Sequence, residues 1–258
     1  MQETLADYYS KGDPVFSDVC ELLNSFRNDS ALVETILSIY TFMRSHPFCD
    51  DWLEKKLGQY KDGIADTNSS VWAKVLYPFC ADALQNARLA ILYAFDIIGD
   101  DPLLVKKTYH QFDEKLNEVT EAIGCCESED FDGLYRSVHS VIFPTFASPR
   151  NYDDPERLET LKGYWNLVKQ IFGALGSYLC SDSETFRRDL LELFPKIEKL
   201  FEITVDFKNR LDEKKREKNL CDFADTEQFA LELCGKNRVT ATSEPRSHRG
   251  FATALTKF

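Results

Sequence analysis

Apolar residues recur at steps of three or four along most of this chain, a period that fits helices and leaves little room for strands. The clearest run spans 155–180. There Leu158, Leu161, Trp165, Val168, Phe172, Leu175 and Leu179 share one helical face. Asp154 caps its N-terminus, and Pro155 fits the first turn, where its missing N–H is not needed. The next helix starts near Ser183-Glu184 and carries Leu190, Phe194, Ile197, Phe201, Val205 and Leu211. Pro195 is expected to kink it, and it runs to about Lys218.

Earlier segments follow the same grammar. Ser30 is expected to cap a helix that stops before Pro47, and Asp50 and Asp51 open a short helix through Tyr60. After a polar loop from Lys61 to Ser69, a long helical stretch runs from about Ser70 to Ile98, interrupted at Pro78. Asp101-Pro102 restarts the pattern through about Ile123, and Asp130 to Ile142 forms another helix. The clearest irregular loop is Phe143 to Asp153. Neither an alternating strand of useful length nor an Asn-Gly or Asp-Gly hairpin is present. The expected fold class is therefore all-α, an irregular multi-helix array of about nine or ten helices with no significant sheet. Gly235 to Phe258 has five basic residues, one acid and weak periodicity, and reads as a connection.

Composition narrows the partners. The chain has 258 residues, enough for one large domain or two small ones, and its 43% hydrophobic content supports a buried core. A net charge of -12 argues against a simple nucleic-acid-coating protein. The charge is uneven, however. Residues 1–129 carry 11 basic and 22 acidic side chains, whereas residues 196–258 carry 13 and 11. No apolar run reaches the roughly 18 residues of a membrane span. The N-terminus is polar and acidic, unlike a signal peptide, so a cytoplasmic location is expected. The eight cysteines are scattered through the chain and are expected to be reduced, mostly as small core hydrophobes.

Several chemistries lack their residues. Gly58 and Gly63 have the glycine spacing of a phosphate-binding loop, but Ile64 stands where Lys is required. The chain contains neither G-x-S-x-G nor H-E-x-x-H, and its four histidines are far apart. No catalytic residue and no metal site is assigned. The basic run of Lys208, Arg210, Lys214, Lys215, Arg216 and Lys218 has two readings: a solvated helix face with i,i+4 pairs, or a phosphate-facing helix end.

One segment is more specific. Residues 213–234, EKKREKNLCDFADTEQFALELC, resemble the Lys-Arg-rich helix end followed by L-x-D-F-x-D-L-E-x-x-A-L-x-L in the A subunit of bacterial AddAB-type ATP-dependent helicase–nucleases. Related UvrD/Rep-like helicases carry a similar D-F-x-D-L. The matching residues are Leu220, Asp222, Phe223, Asp225, Glu227, Ala230 and Leu231, with Thr226 in place of the usual Leu and Gln228 where His is common. Ile39 to Tyr60 is similar to a stretch where a short helix ends at R-S-x-P and a W-L pair follows, and Phe143 to Arg150 is similar to an F-P-x-x…P-R loop. In its own terms, Asp222 can cap a helix with Asp225 in the first turn, and Phe223 and Phe229 are expected to anchor it in a core.

The resemblance implies a piece of a larger enzyme. Residues 1–220 would be the accessory helical subdomain inserted into the first motor domain, and 221–258 the return segment toward that domain. The phosphate-binding loop would lie upstream, and the magnesium-binding acidic motif and nuclease domain downstream. ATP and magnesium are thus implied for the parent enzyme and no cofactor for this segment. The implied partners are double-stranded DNA and a second, B-type helicase–nuclease subunit, in double-strand-break repair and recombination. Candidate DNA contacts are Arg150, Lys214, Lys215, Arg216 and Lys218, while Asp222, Phe223, Asp225 and Glu227 carry the motif. The alternative is a stand-alone helical scaffold that binds a protein, signalled by a groove lined by exposed Trp52 or Trp72.

Overall fold

The computed structural model describes residues 1–23, 28–46, 49–150 and 152–240, without the side chains at 50, 232 and 234–240. Every regular element among the described residues is helical. These are α1 (Gln2–Lys11), α2 (Pro14–Leu22), α3 (Ser30–Arg44), α4 (Cys49–Ala65), α5 (Val71–Ile98), α6 (Pro102–Leu104), α7 (His110–Glu127), α8 (Phe131–His139), α9 (Pro155–Tyr178), α10 (Ser183–Glu217) and α11 (Phe223–Thr240). A π-type turn, Val105–Tyr109, joins α6 to α7 in one unbroken rod. The all-α expectation holds. The part of the C-terminal connection from residue 241 onward lies outside the described residues.

The chain divides into two compact units, Met1–Leu57 with Phe194–Phe258, and Gly58–Leu193. The second unit is built on α5. Its buried face repeats at helical spacing through Ala73, Tyr77, Cys80, Leu84, Ala87, Ile91, Ala94 and Ile98, and the small residues let α7 and α9 approach closely. Ser70 Oγ accepts from Ala73 N at 3.1 Å to start the helix. Pro78 does not interrupt it. The proline sits on the exposed side, so the single missing N–H bond costs little there. Arg157 donates to the Ile97 carbonyl through Nε at 2.8 Å, which ties α9 to the C-terminus of α5.

Several boundaries differ from the sequence reading. Helix α4 continues past Tyr60 to Ala65, so the loop before α5 is short. Gly63 explains why this turn packs: a Cβ there would lie 2.7 Å from Trp72 Cζ3. Ser30 does not cap α3. Instead Asn28 Oδ1 accepts from Ser30 N and Oγ, at 3.0 and 2.6 Å. Helix α8 ends at His139, short of Ile142, with Ser140 N donating to Arg136 O at its C-cap. The loop that follows is anchored. Gln111 donates to Thr145 O and accepts from Ala147 N, and Phe143 and Phe146 pack on Trp165.

The first unit packs α1, α2 and α3 around the C-terminal half of α10. Its core holds Leu5, Tyr8, Phe16, Val19, Leu32, Ile36, Ile203 and Phe207. Tyr8 is buried, yet its hydroxyl donates to Asp206 Oδ2 at 2.6 Å and Glu202 Oε1 at 3.1 Å. Burial and these carboxylates push its phenol far above the ordinary tyrosine range. Of the seven described cysteines, all are free thiols. Cys20, Cys80 and Cys126 are buried, while Cys180 and Cys221 are exposed.

Candidate nucleic-acid interface

Helix α10 ends in a C-cap that its sequence specifies. Asn219 adopts a left-handed φ of 52°. Its N–H donates to Arg216 O at 3.1 Å, and Leu220 N donates to Lys215 O at 2.9 Å, which are the two bonds of a Schellman motif. Three residues after Asn219, α11 starts with a reciprocal capping box. Asp225 N donates to Asp222 Oδ1 at 2.9 Å, and Asp222 N donates to Asp225 Oδ2 at 3.0 Å. The D-F-x-D spacing thus turns the chain sharply between two helices.

Asp225 does more than cap. It is 11% exposed, receives Arg44 Nη2 at 2.6 Å and Lys215 Nζ at 2.9 Å, and lies at the end of α3. Gln228 donates to the carbonyls of Arg44 and His46 at 2.7 and 2.8 Å, closing the C-terminus of α3. The R-S-x-P stretch and the D-F-x-D stretch, far apart in sequence, are therefore bonded partners. Burial raises the Asp225 carboxyl, but the Asp222 N–H, Lys215 and Arg44 outweigh it and bring it down to about 2. Sequence reasoning missed the Arg44–Asp225 pair because no local spacing links the two positions.

The expected anchors are not in a core. Phe223 is 91% exposed and Phe229 50% exposed, with Leu220, Leu231 and Leu233 also exposed. Among the described residues, the side chains that α11 buries are Asp225 and Gln228. The two described side chains turned inward from this helix are thus polar and satisfy α3, while the large apolar ones are exposed. Glu227 is exposed on the outer side.

The candidate cations separate into three kinds. Lys215 is half-buried and shared between Asp222 and Asp225. Lys214 is exposed and paired with Glu3 of α1. Arg216 and Lys218 are exposed and make no ion pair among the described residues. Arg150 is exposed in the loop before α9, which belongs to the other unit. A phosphate cradle at Gly58 and Gly63 does not fit. Both glycines lie within α4, where backbone N–H groups bond internally, and Gly63 is packed on Trp72. The two tryptophans of the scaffold alternative are half-buried. Trp52 packs on Phe42 and His46, and Trp72 on Tyr60 and Phe186.

What the fold and this elbow define is a helical module with polar-bonded joints and an outward apolar helix, carrying no nucleotide cradle at its one glycine pair of suitable spacing. No protein-family model matches the chain. It is similar to the A subunit of the ATP-dependent helicase/nuclease of Staphylococcus carnosus, at 28% identity over 99% of this chain and 21% of that protein. The corresponding A subunits of Bacillus pumilus and Clostridium perfringens are 26% and 27% identical over 96% and 90% of this chain. These proteins are its homologues, and the chain spans about a fifth of their length.

Proposed function

We propose that this chain is the accessory helical segment of the A subunit of an ATP-dependent helicase/nuclease. Residues 1–220 form the helical body and 221–258 return the chain toward the first motor domain. The exposed apolar side chains of α11 carry the reading. The exposed Phe223, Leu231 and Leu233 suit a helix whose apolar side completes a core in a neighbouring domain. The similar A subunits are about five times longer, which leaves length in the parent for such a domain.

On this reading the parent enzyme hydrolyses ATP with magnesium to translocate along and unwind DNA, and degrades DNA ends during repair in the cytoplasm. The nucleotide-binding groups lie in other segments. This segment contributes duplex contacts through Arg150, Lys214, Arg216 and Lys218, with Lys215 held in the elbow by Asp222 and Asp225, and a surface for the B-type partner. The exposure of Arg150, Arg216 and Lys218 supports the phosphate contact. The outer face of α5, with Val75, Phe79, Leu89 and Tyr93 exposed, supports a protein contact in the second unit. No helix among the described residues is long and apolar enough to cross a membrane.

The test uses Phe223→Ser with Leu233→Ser. In the isolated chain these exposed sites should change stability by no more than about 0.5 kcal/mol. In the full-length protein the same pair should lower its melting temperature and its DNA-dependent ATPase rate. Equal insensitivity of both proteins would overturn the reading, as would robust ATP hydrolysis by the isolated chain.

A further inference from the structure

The ion pairs along α10 differ in how firmly they are held. Lys215 is locked into the elbow by two carboxylates. Arg210 and Lys214 instead meet Asp7 and Glu3, both on α1, and every one of these four side chains is more than a third exposed. Exposed pairs contribute little in water, since solvent screens them and both side chains lose freedom on pairing. The backbone of α1 does not depend on them, because Leu5 and Tyr8 are buried in the core of the unit. The two carboxylates can therefore swing away while α1 stays docked.

The spacing gives these pairs a second meaning. Arg210, Lys214 and Lys218 follow one another at four-residue steps, a row of cations on one face, about 6 Å apart along the axis. Lys218 is the member of this row without an ion pair among the described residues. Glu3 and Asp7 also stand four residues apart, so they set two negative charges against the row at a similar interval. We propose that Glu3 and Asp7 are exchangeable stand-ins for two neighbouring phosphates of a nucleic-acid strand. The phosphate-binding surface then extends from Lys218 back along α10 to Lys214 and Arg210, while Arg216 projects from another side of the helix. This inference rests on the DNA contact proposed above and identifies its missing half.

The experiment measures binding of the 258-residue chain to a DNA duplex of about 30 base pairs in about 50 mM salt. Glu3→Gln with Asp7→Asn should tighten binding roughly three- to tenfold, and adding Arg210→Gln and Lys214→Gln should abolish the gain. Asp18→Asn with Glu21→Gln, which changes net charge equally on α2, controls for general electrostatics. An equal gain from that control, or no gain from the Glu3 and Asp7 pair, overturns the inference. The underlying contact is read separately: Arg216→Glu with Lys218→Glu should weaken binding, and if it does not, the proposed DNA contact fails and this inference with it. Should the double substitution unfold the chain, Glu3→Gln alone must still give a smaller gain of the same sign.

Discussion

Replacing Asp225 by alanine isolates the interaction on which the elbow depends. The carboxylate accepts from Arg44 at 2.6 Å, from Lys215 at 2.9 Å and from the Asp222 N–H at 3.0 Å. Its removal leaves the Arg44 guanidinium, on a side chain only 9% exposed, with Asp222 at 3.9 Å as its remaining carboxylate. Arg44 Nε already has no hydrogen-bond partner among the described residues. Breaking a buried pair from one side costs about 3–5 kcal/mol, and the residual exposure here argues for the lower end, about 3 kcal/mol. Because Asp225 and Gln228 are the described side chains that α11 buries, the loss should open α11 locally while the rest of the chain stays folded. Amide hydrogen exchange from Phe223 to Leu233 should accelerate by about two orders of magnitude, the equivalent of about 3 kcal/mol. Asp222→Ala, which removes a half-exposed cap, should cost only about 1 kcal/mol. Unchanged protection in Asp225→Ala, or equal effects of the two substitutions, would refute the argument.

Two further predictions concern stability. Gly63→Ala should destabilise the unit Gly58–Leu193 by about 1–3 kcal/mol in urea denaturation, since its Cβ would stand 2.7 Å from the Trp72 ring. A neutral result would mean that Trp72 rotates freely. Acid should release the elbow as well. The Asp225 carboxyl is lowered in the folded chain to about 2, so its stabilisation is complete above an ordinary carboxylate value near 4 and is lost as pH falls toward 2. About 2 kcal/mol should disappear over that window, and α11 exchange in Asp225→Asn should lack this dependence.

Much of the helical layout was legible because its signals are local. The cap at Asp154, the start of α10 and the Asp222–Asp225 box each depend on residues within one turn, and their N-terminal bonds follow directly. Pro78 misled for the same local reason. A proline on an exposed face removes one bond, and packing on the opposite face keeps α5 continuous. Phe223 and Phe229 misled more deeply, since hydrophobicity says that a residue seeks cover without saying which partner supplies it.

The sequence by itself determined the all-α class and the caps and turns that space the helices, because each is written in periodicity or in neighbours within a few residues. Only the tertiary structure decided which charges are available. It joined Arg44 to Asp225 across 181 residues and laid Glu3 and Asp7 over Lys214 and Arg210. A run of basic residues has one charge count, but its capacity to meet phosphate depends on which carboxylates the fold brings beside it and on how much water reaches each pair.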